Sequence, residues 1–298
     1  MIERSIQLLA CEFHVSADAE AVIRWLDGVR PSAVQDHPVL HRHRLDVRRE
    51  DGGYRVREDG EDRGVSPGPE AAGAVVEQRL HELAFGALGD STKVHAGCGT
   101  WKDRRFLIVG NGRAGKTTLM TRLLFEGFAV EGDEMIVIRD GGVVAYPRRF
   151  GIRRPTLSLV PQVGALVPDL AGAGEPDPSG GYQVLAFDPS QLGLPWRIGS
   201  GAVDVLFLLD GRAEGPTLAH PCPKHAMVQR VMAQSHAPAA GRAVWVRDIC
   251  ALVNGAAGYL LTLGDLDSAV ATVRSALEAS AAQAQPSNLE DRHGRRQD

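Results

Sequence analysis

The sequence predicts an α/β protein in which a mixed sheet with flanking helices follows a small α+β module. Three observations predict it. An apolar run, Phe106 to Val109, meets "GNGRAGKTT" at 110–118 and continues into residues with helical periodicity. A second apolar run, "VDVLFLL" at 203–209, suits the centre of a sheet covered on both faces. Before residue 90 the pattern is different, with short alternating segments set against two amphipathic stripes.

In chain order, residues 6–15 alternate as one strand, and Ser16 stands where it would cap a helix carrying Ala19, Val22, Ile23 and Leu26. His43, Leu45 and Val47 alternate, "DGG" at 51–53 signals a hairpin, and "YRVRE" returns. The Pro/Gly cluster "VSPGPEAAG" reads as a loop before a long helix with Ala72, Val75, Val76, Leu80, Leu83 and Ala84 on one face. These residues, 1–90, form the expected N-terminal domain.

The second domain is expected over 91–283. "KVHAGCGTWKDRRFLIVG" gives two strands around a polar turn, and the helix after them stops at Gly127. "MIVIRD" and "GVVAY" meet at Gly141-Gly142, another hairpin signal. Residues 153–180, rich in Pro and Gly, read as a long mobile loop of functional use. The strands "YQVLAF" and "VDVLFLL" follow, then helices over 223–235 and 240–254, the strand "GYLLTL" and a last helix. The polar tail, 284–298, is expected to be disordered.

Chemistry concentrates at 110–118. Gly110-Asn111-Gly112-Arg113-Ala114-Gly115-Lys116-Thr117 matches G-x-x-x-x-G-K-[ST] without a mismatch, between a strand and a helix whose Leu119, Met120, Leu123 and Leu124 fall on one face. This is the P-loop NTPase-type pattern. Glycines let backbone N–H groups turn onto phosphate oxygens, and the helix start near Gly115 aims its positive end at the same anion. Lys116 would reach the β/γ-phosphates of ATP, and Thr117, with Thr118 beside it, would sit at Mg²⁺. Downstream, "GDE" puts Asp133 and Glu134 where an acid holds Mg²⁺ or takes a proton from an acceptor. No N-K-x-D or T-K-x-D follows the loop, which argues against the guanine-specific switch class.

Composition narrows the partners. The 298-residue chain carries a formal charge of −4, with no global basic field to favour nucleic acid. The start of the chain has neither a signal-peptide pattern nor a membrane-spanning apolar run, so a cytoplasmic protein with no membrane partner is expected. Cys11, Cys98, Cys222 and Cys250 lie far apart with no C-x-x-C pair, as reduced thiols would. Arg148, Arg149, Arg153 and Arg154 in "YPRRFGIRR" could clamp phosphate or an acidic peptide, or form a solvated edge strand. His37, His41 and His43 lack an acidic or cysteine partner at ligand spacing, and "HPCPKH" around Cys222 reads as a helix lead-in.

His95 in "KVHAG", the loop "GNGRAGKTT", the helix ending "FEGF" and the acidic "GDE" together resemble the HPr kinase/phosphorylase superfamily over roughly residues 91–282. "VVAYPRRFGIRR" resembles a strand of its kinase-only relatives, including those encoded with lasso-peptide and other ribosomal-peptide genes. The resemblance implies the family's fold and an ATP- and Mg²⁺-dependent kinase acting on a serine hydroxyl of a small protein or precursor peptide. It further implies that Asp133 is the general base, Glu134 a metal or orienting ligand, and His95 a polar contact to phosphate or acceptor. It leaves a homo-oligomer open. Thr117-Thr118 stands where the bifunctional members have Ser-Glu, and their Glu-x-Arg-Gly-x-Gly segment has no match, so neither phosphorylase activity nor HPr as substrate is implied. Two other functions fit the same motif: a nucleotide-dependent binding or assembly ATPase, and a kinase of a small molecule such as free serine or a sugar.

Overall fold

The computed structural model describes residues 1–29, 34–35, 38–89, 91–139, 141–166, 184–187, 189–193 and 196–284. They form a mixed α/β structure with several sheets. Among them, no helix is long and apolar enough to cross a membrane. The expected tail beyond 284 lies outside the described residues.

The N-terminal segments are β1 (Ile2–Leu8), β2 (Cys11–Ala17), α1 (Glu20–Val29), β3 (Val34–Gln35), β4 (His41–Glu50), β5 (Gly53–Glu58), β6 (Glu61–Ser66) and α2 (Pro69–Ala87). Five strands make a sheet in the order β1-β2-β4-β5-β6, with β2 and β4 parallel and the other pairs antiparallel. Phe13, Val15, Leu45, Val47 and Val56 from the strands meet Val22, Leu26, Val76 and Leu80 from the helices in one buried cluster.

Three expectations fail here for local reasons. The single strand over 6–15 is a hairpin, because the chain turns at Leu9, which takes a left-handed φ of 52°. Ser16 does not cap α1; it lies buried in β2 and donates its hydroxyl to Asp46. The Pro/Gly cluster at 65–73 is the end of β6 and the start of α2, since Pro69 occupies a first-turn position where its missing N–H costs nothing.

The rest of the chain runs β7 (Lys93–Val94), β8 (Ala96–Trp101), β9 (Arg104–Val109), α3 (Lys116–Phe125), β10 (Ala129–Gly132), β11 (Ile136–Arg139), β12 (Gly142–Ala145), β13 (Phe150–Arg153), α4 (Arg154–Leu159) and α5 (Pro161–Leu166). Then come β14 (Val184–Phe187), β15 (Arg197–Ile198), β16 (Ser200–Gly201), β17 (Val205–Arg212), β18 (Leu218–Pro221), α6 (Lys224–Ala233), β19 (Ser235–His236), α7 (Arg242–Gly255), β20 (Ala257–Leu263) and α8 (Leu266–Ala284).

Six strands form the main sheet, β10-β8-β9-β17-β20-β18, with β9, β17 and β20 mutually parallel. The apolar run 205–208 is nearly free of solvent at its centre. A smaller antiparallel sheet, β16-β12-β11-β7-β19, lies alongside. Two of the chain's passages between these sheets bring connecting residues to one cleft. β7 belongs to the small sheet and β8 to the main one, with His95 between them; β10 belongs to the main sheet and β11 to the small one, with Asp133, Glu134 and Met135 between them.

The expected loop over 153–180 is also corrected: 154–159 and 161–166 are short helices. Pro155 and Pro161 lie at helix starts, so the residues that looked like breakers act as initiators. Arg154 therefore begins α4 rather than continuing a basic strand. Residues 167–180 lie outside the described set.

Candidate functional site

β9 delivers the buried residues Phe106 to Val109 between β8 and β17, and the chain turns through 110–115 into α3. Two glycines are fixed by their surroundings. A Cβ on Gly110 would lie 2.9 Å from Leu209 Cβ; Gly115 has a φ of 107°, and a Cβ there would come 3.0 Å from an Arg212 guanidinium nitrogen. Gly112 meets nothing within 4 Å. No side chain caps α3, so its first amide groups and the positive end of its dipole face the loop.

Lys116 is buried, and its Nζ donates to the carbonyl oxygens of Gly110 (2.6 Å) and Asn111 (3.0 Å). Burial lowers its pKa to about 8, against the pull of the Asp133 and Glu134 charges. Asp133 is buried too, and burial raises its carboxyl to about 7; the Thr117 hydroxyl and the Arg148 charge act in the opposite direction, while Glu134 adds to the rise. A carboxyl with that value is partly protonated near neutral pH. Glu134 is exposed and accepts from Arg148 Nη1 at 2.6 Å. His95 is half-buried, with its pKa held below 6.5 by burial and by the Lys116 charge, so the neutral ring predominates at pH 7.

These groups surround one cleft of about 730 Å³. It brings together His95, Gly112, Arg113, Gly115, Lys116, Thr117, Thr118, Asp133 and Glu134 from the sequence reading, and also Arg148, Arg149 and Arg153. Gly110, Asn111 and Ala114 do not line it. Gly110 is buried and offers its carbonyl to Lys116, the Asn111 side-chain oxygen accepts from Gln234 Nε2 at 2.5 Å, and Ala114 packs against the core.

Sequence reasoning missed Arg212, Thr156, Glu77 and His81, which share the cleft. Arg212 had a usable signal: it ends the apolar strand parallel to β9, and ligands of α/β sheets gather at the carboxyl ends of parallel strands. Thr156, whose hydroxyl lies 3.2 Å from that of Thr118, sits in α4, a segment read as loop. Glu77 and His81 lie four residues apart on α2, and no local pattern relates them to a loop that starts about thirty residues later.

The other candidates have structural uses. His43 is bonded to Asp59 (2.8 Å) and stacked on Phe13, while His37 lies outside the described residues. Among the described residues no cluster of His, Cys, Asp and Glu is arranged to hold a metal by itself. All four cysteines are free, and Pro223 after Cys222 is the N-cap of α6.

The chain matches no protein-family model and no curated protein. Among solved structures it is similar to the Hpr(Ser) kinase/phosphatase from Coxiella burnetii, at 12% identity over 64% of this chain and 97% of that one, with a TM-score of 0.32. Agreement that slight adds nothing to the argument from the cleft.

Proposed function

We propose that the protein is a P-loop, ATP-dependent phosphotransferase that moves the γ-phosphoryl group to a serine hydroxyl of a small protein or peptide. The observation that supports it is the meeting of Lys116, Thr117 and Asp133 in one cleft, with the carboxyl of Asp133 buried and tuned close to neutrality.

The residues present fit the implied cofactors. Gly110, Gly112 and Gly115 leave three loop positions without a side chain, α3 is uncapped, and Lys116 supplies a buried cation, as a polyphosphate requires. The Thr117 hydroxyl and the Asp133 carboxylate are adjacent oxygen donors, the hard pair that Mg²⁺ accepts when phosphates complete its shell. Bound there, Mg²⁺ would neutralise phosphate charge.

The chain's own groups then have defined work. Backbone amides of the loop and of the first turn of α3 orient the phosphates, and Lys116 exchanges its two carbonyl partners for phosphate oxygens. Asp133 accepts the acceptor's proton as the acceptor oxygen bonds to the γ-phosphorus and the bond to the bridging oxygen of ADP breaks. Arg148, Arg149 and Arg153, on the facing wall, are assigned to phosphate or acceptor contacts, and His95 to a neutral polar contact.

The test compares γ-labelled ATP binding and label transfer to serine peptides in the wild type, Lys116→Ala and Asp133→Asn. Loss of binding in the first and loss of transfer with retained binding in the second are expected. Wild-type transfer by Asp133→Asn would remove the base. Binding without transfer to any acceptor would favour a nucleotide-dependent binding factor.

A further inference from the structure

A second cavity of about 700 Å³ adjoins the first, and Glu77, His81, Asp133, Glu134 and Arg148 line both. Its other walls come from α2, through Phe85 and Gly86, and from the small sheet and its margins, through Lys93, Met135 and Tyr146. The Phe85 and Tyr146 rings stack with centroids 3.9 Å apart, and Lys93 Nζ stands 4.9 Å above the Phe85 ring. Tyr146 is held in place by a hydrogen bond between its hydroxyl and His81 Nδ1.

The charged rim is occupied by the protein itself. Glu77 accepts from Trp25 Nε1 at 3.0 Å, Glu82 accepts from Gln78 at 2.7 Å and pairs with Arg79, and Glu134 pairs with Arg148. The apolar groups in the lining are Phe85, Met135 and Tyr146, with the Lys93 ammonium over the Phe85 ring. A volume of this order, within the roughly 300–1,000 Å³ of pockets that enclose drug-sized groups, is far more than a serine hydroxymethyl group fills.

We propose that this cavity receives the residue flanking the acceptor hydroxyl, and that the acceptor is a peptide segment with an aromatic or large aliphatic side chain beside its serine or threonine. The inference rests on the phosphotransferase reading. It gives α2 a function: the helix forms the acceptor's wall beside Asp133. The shared lining at Asp133 is what ties the cavity to the reaction, since a side chain seated by Phe85 leaves its neighbour's hydroxyl beside that carboxylate.

Gly86 offers a test, because it lines the cavity and a Cβ there meets no atom within 4 Å. The probe is a positional-scanning library of serine and threonine peptides with Mg·ATP, read alongside ATP affinity. Wild type should favour Phe, Tyr, Leu or Met beside the acceptor by roughly ten-fold or more, as burying one large apolar side chain gives. Gly86→Trp should lose that preference and most transfer while binding ATP as before, and Phe85→Ala should weaken the same preference. A flat preference in wild type, an unchanged preference in Gly86→Trp, or transfer to free serine but to no peptide would each overturn the proposal. Failure of the wild type to bind ATP would instead overturn the reading beneath it.

Discussion

The side chains of Thr117 and Asp133 line one cleft and act on each other, so the first turn of α3 meets the crossing between the two sheets. The contact joins two motifs that the sequence separates by a helix and a strand. It also leaves Asp133 buried beside Glu134, with a pKa near 7.

Replacing that carboxyl should separate function from stability. Asp133→Asn is expected to lower phosphoryl transfer at least 100-fold while changing ATP affinity only a few-fold. The folded-state pKa lies above the ordinary value of 3.8, so this group's stabilising contribution is complete below about pH 3.8 and is lost as pH rises through about 7. The Asn variant should therefore gain more in melting temperature over wild type at pH 8 than at pH 5. Equal differences at the two pH values would count against a buried, neutral-leaning Asp133.

Lys116 should govern nucleotide affinity and its pH dependence. Removing several charge-assisted hydrogen bonds, worth about 1.5–3 kcal/mol each, predicts a drop of at least about 100-fold for Lys116→Ala by titration calorimetry. Burial brings the free-protein pKa to about 8, so wild-type ATP affinity should fall between pH 7 and 9 as the ammonium is lost. Lys116→Met should show no such fall. With Asp133 needed as the base and Lys116 as the cation, kcat/KM should rise through about pH 7 and decline above about pH 8.

The three glycines of the loop should respond unequally. Gly115→Ala combines a left-handed φ with a close approach to Arg212, and Gly110→Ala presses on Leu209; each should cost about 1–3 kcal/mol in denaturant unfolding. Gly112→Ala has open space and should unfold like wild type. If it nevertheless weakens ATP binding, the ligand itself supplies the contact.

A buried ion pair holds the crossing in place from behind. Arg105 Nη1 lies 2.8 Å from Glu131, which also accepts from the Gly199 amide, and both side chains are largely buried. Glu131→Ala should lower unfolding stability by about 3–5 kcal/mol, because it strands the guanidinium. A loss below 1 kcal/mol would mean that water or a neighbour takes over the charge.

The parts of this architecture legible in sequence were those written locally. The strand, loop and helix around Lys116 were readable because apolar periodicity and the glycine pattern occupy one short window, and the hairpin at Lys102-Asp103 because two polar residues there accept left-handed backbone. The start of α4 was not readable, since Pro155 looks the same as a breaker and as a first-turn residue. Nor was the contribution of α2: Glu77, His81 and Phe85 reach the site only because tertiary packing sets that helix against Tyr146. The crossing that brings His95 and Asp133 to the loop is a property of two sheets, and no single segment encodes it.

The most direct measurement is mass spectrometry of small proteins and peptides encoded beside the gene, after incubation with Mg·ATP and the wild-type protein or Lys116→Ala. The expected result is the mass gain of one phosphoryl group on a serine-bearing chain, present with wild type and absent with the variant. Bound ATP with no mass gain on any of these chains would contradict a protein or peptide kinase.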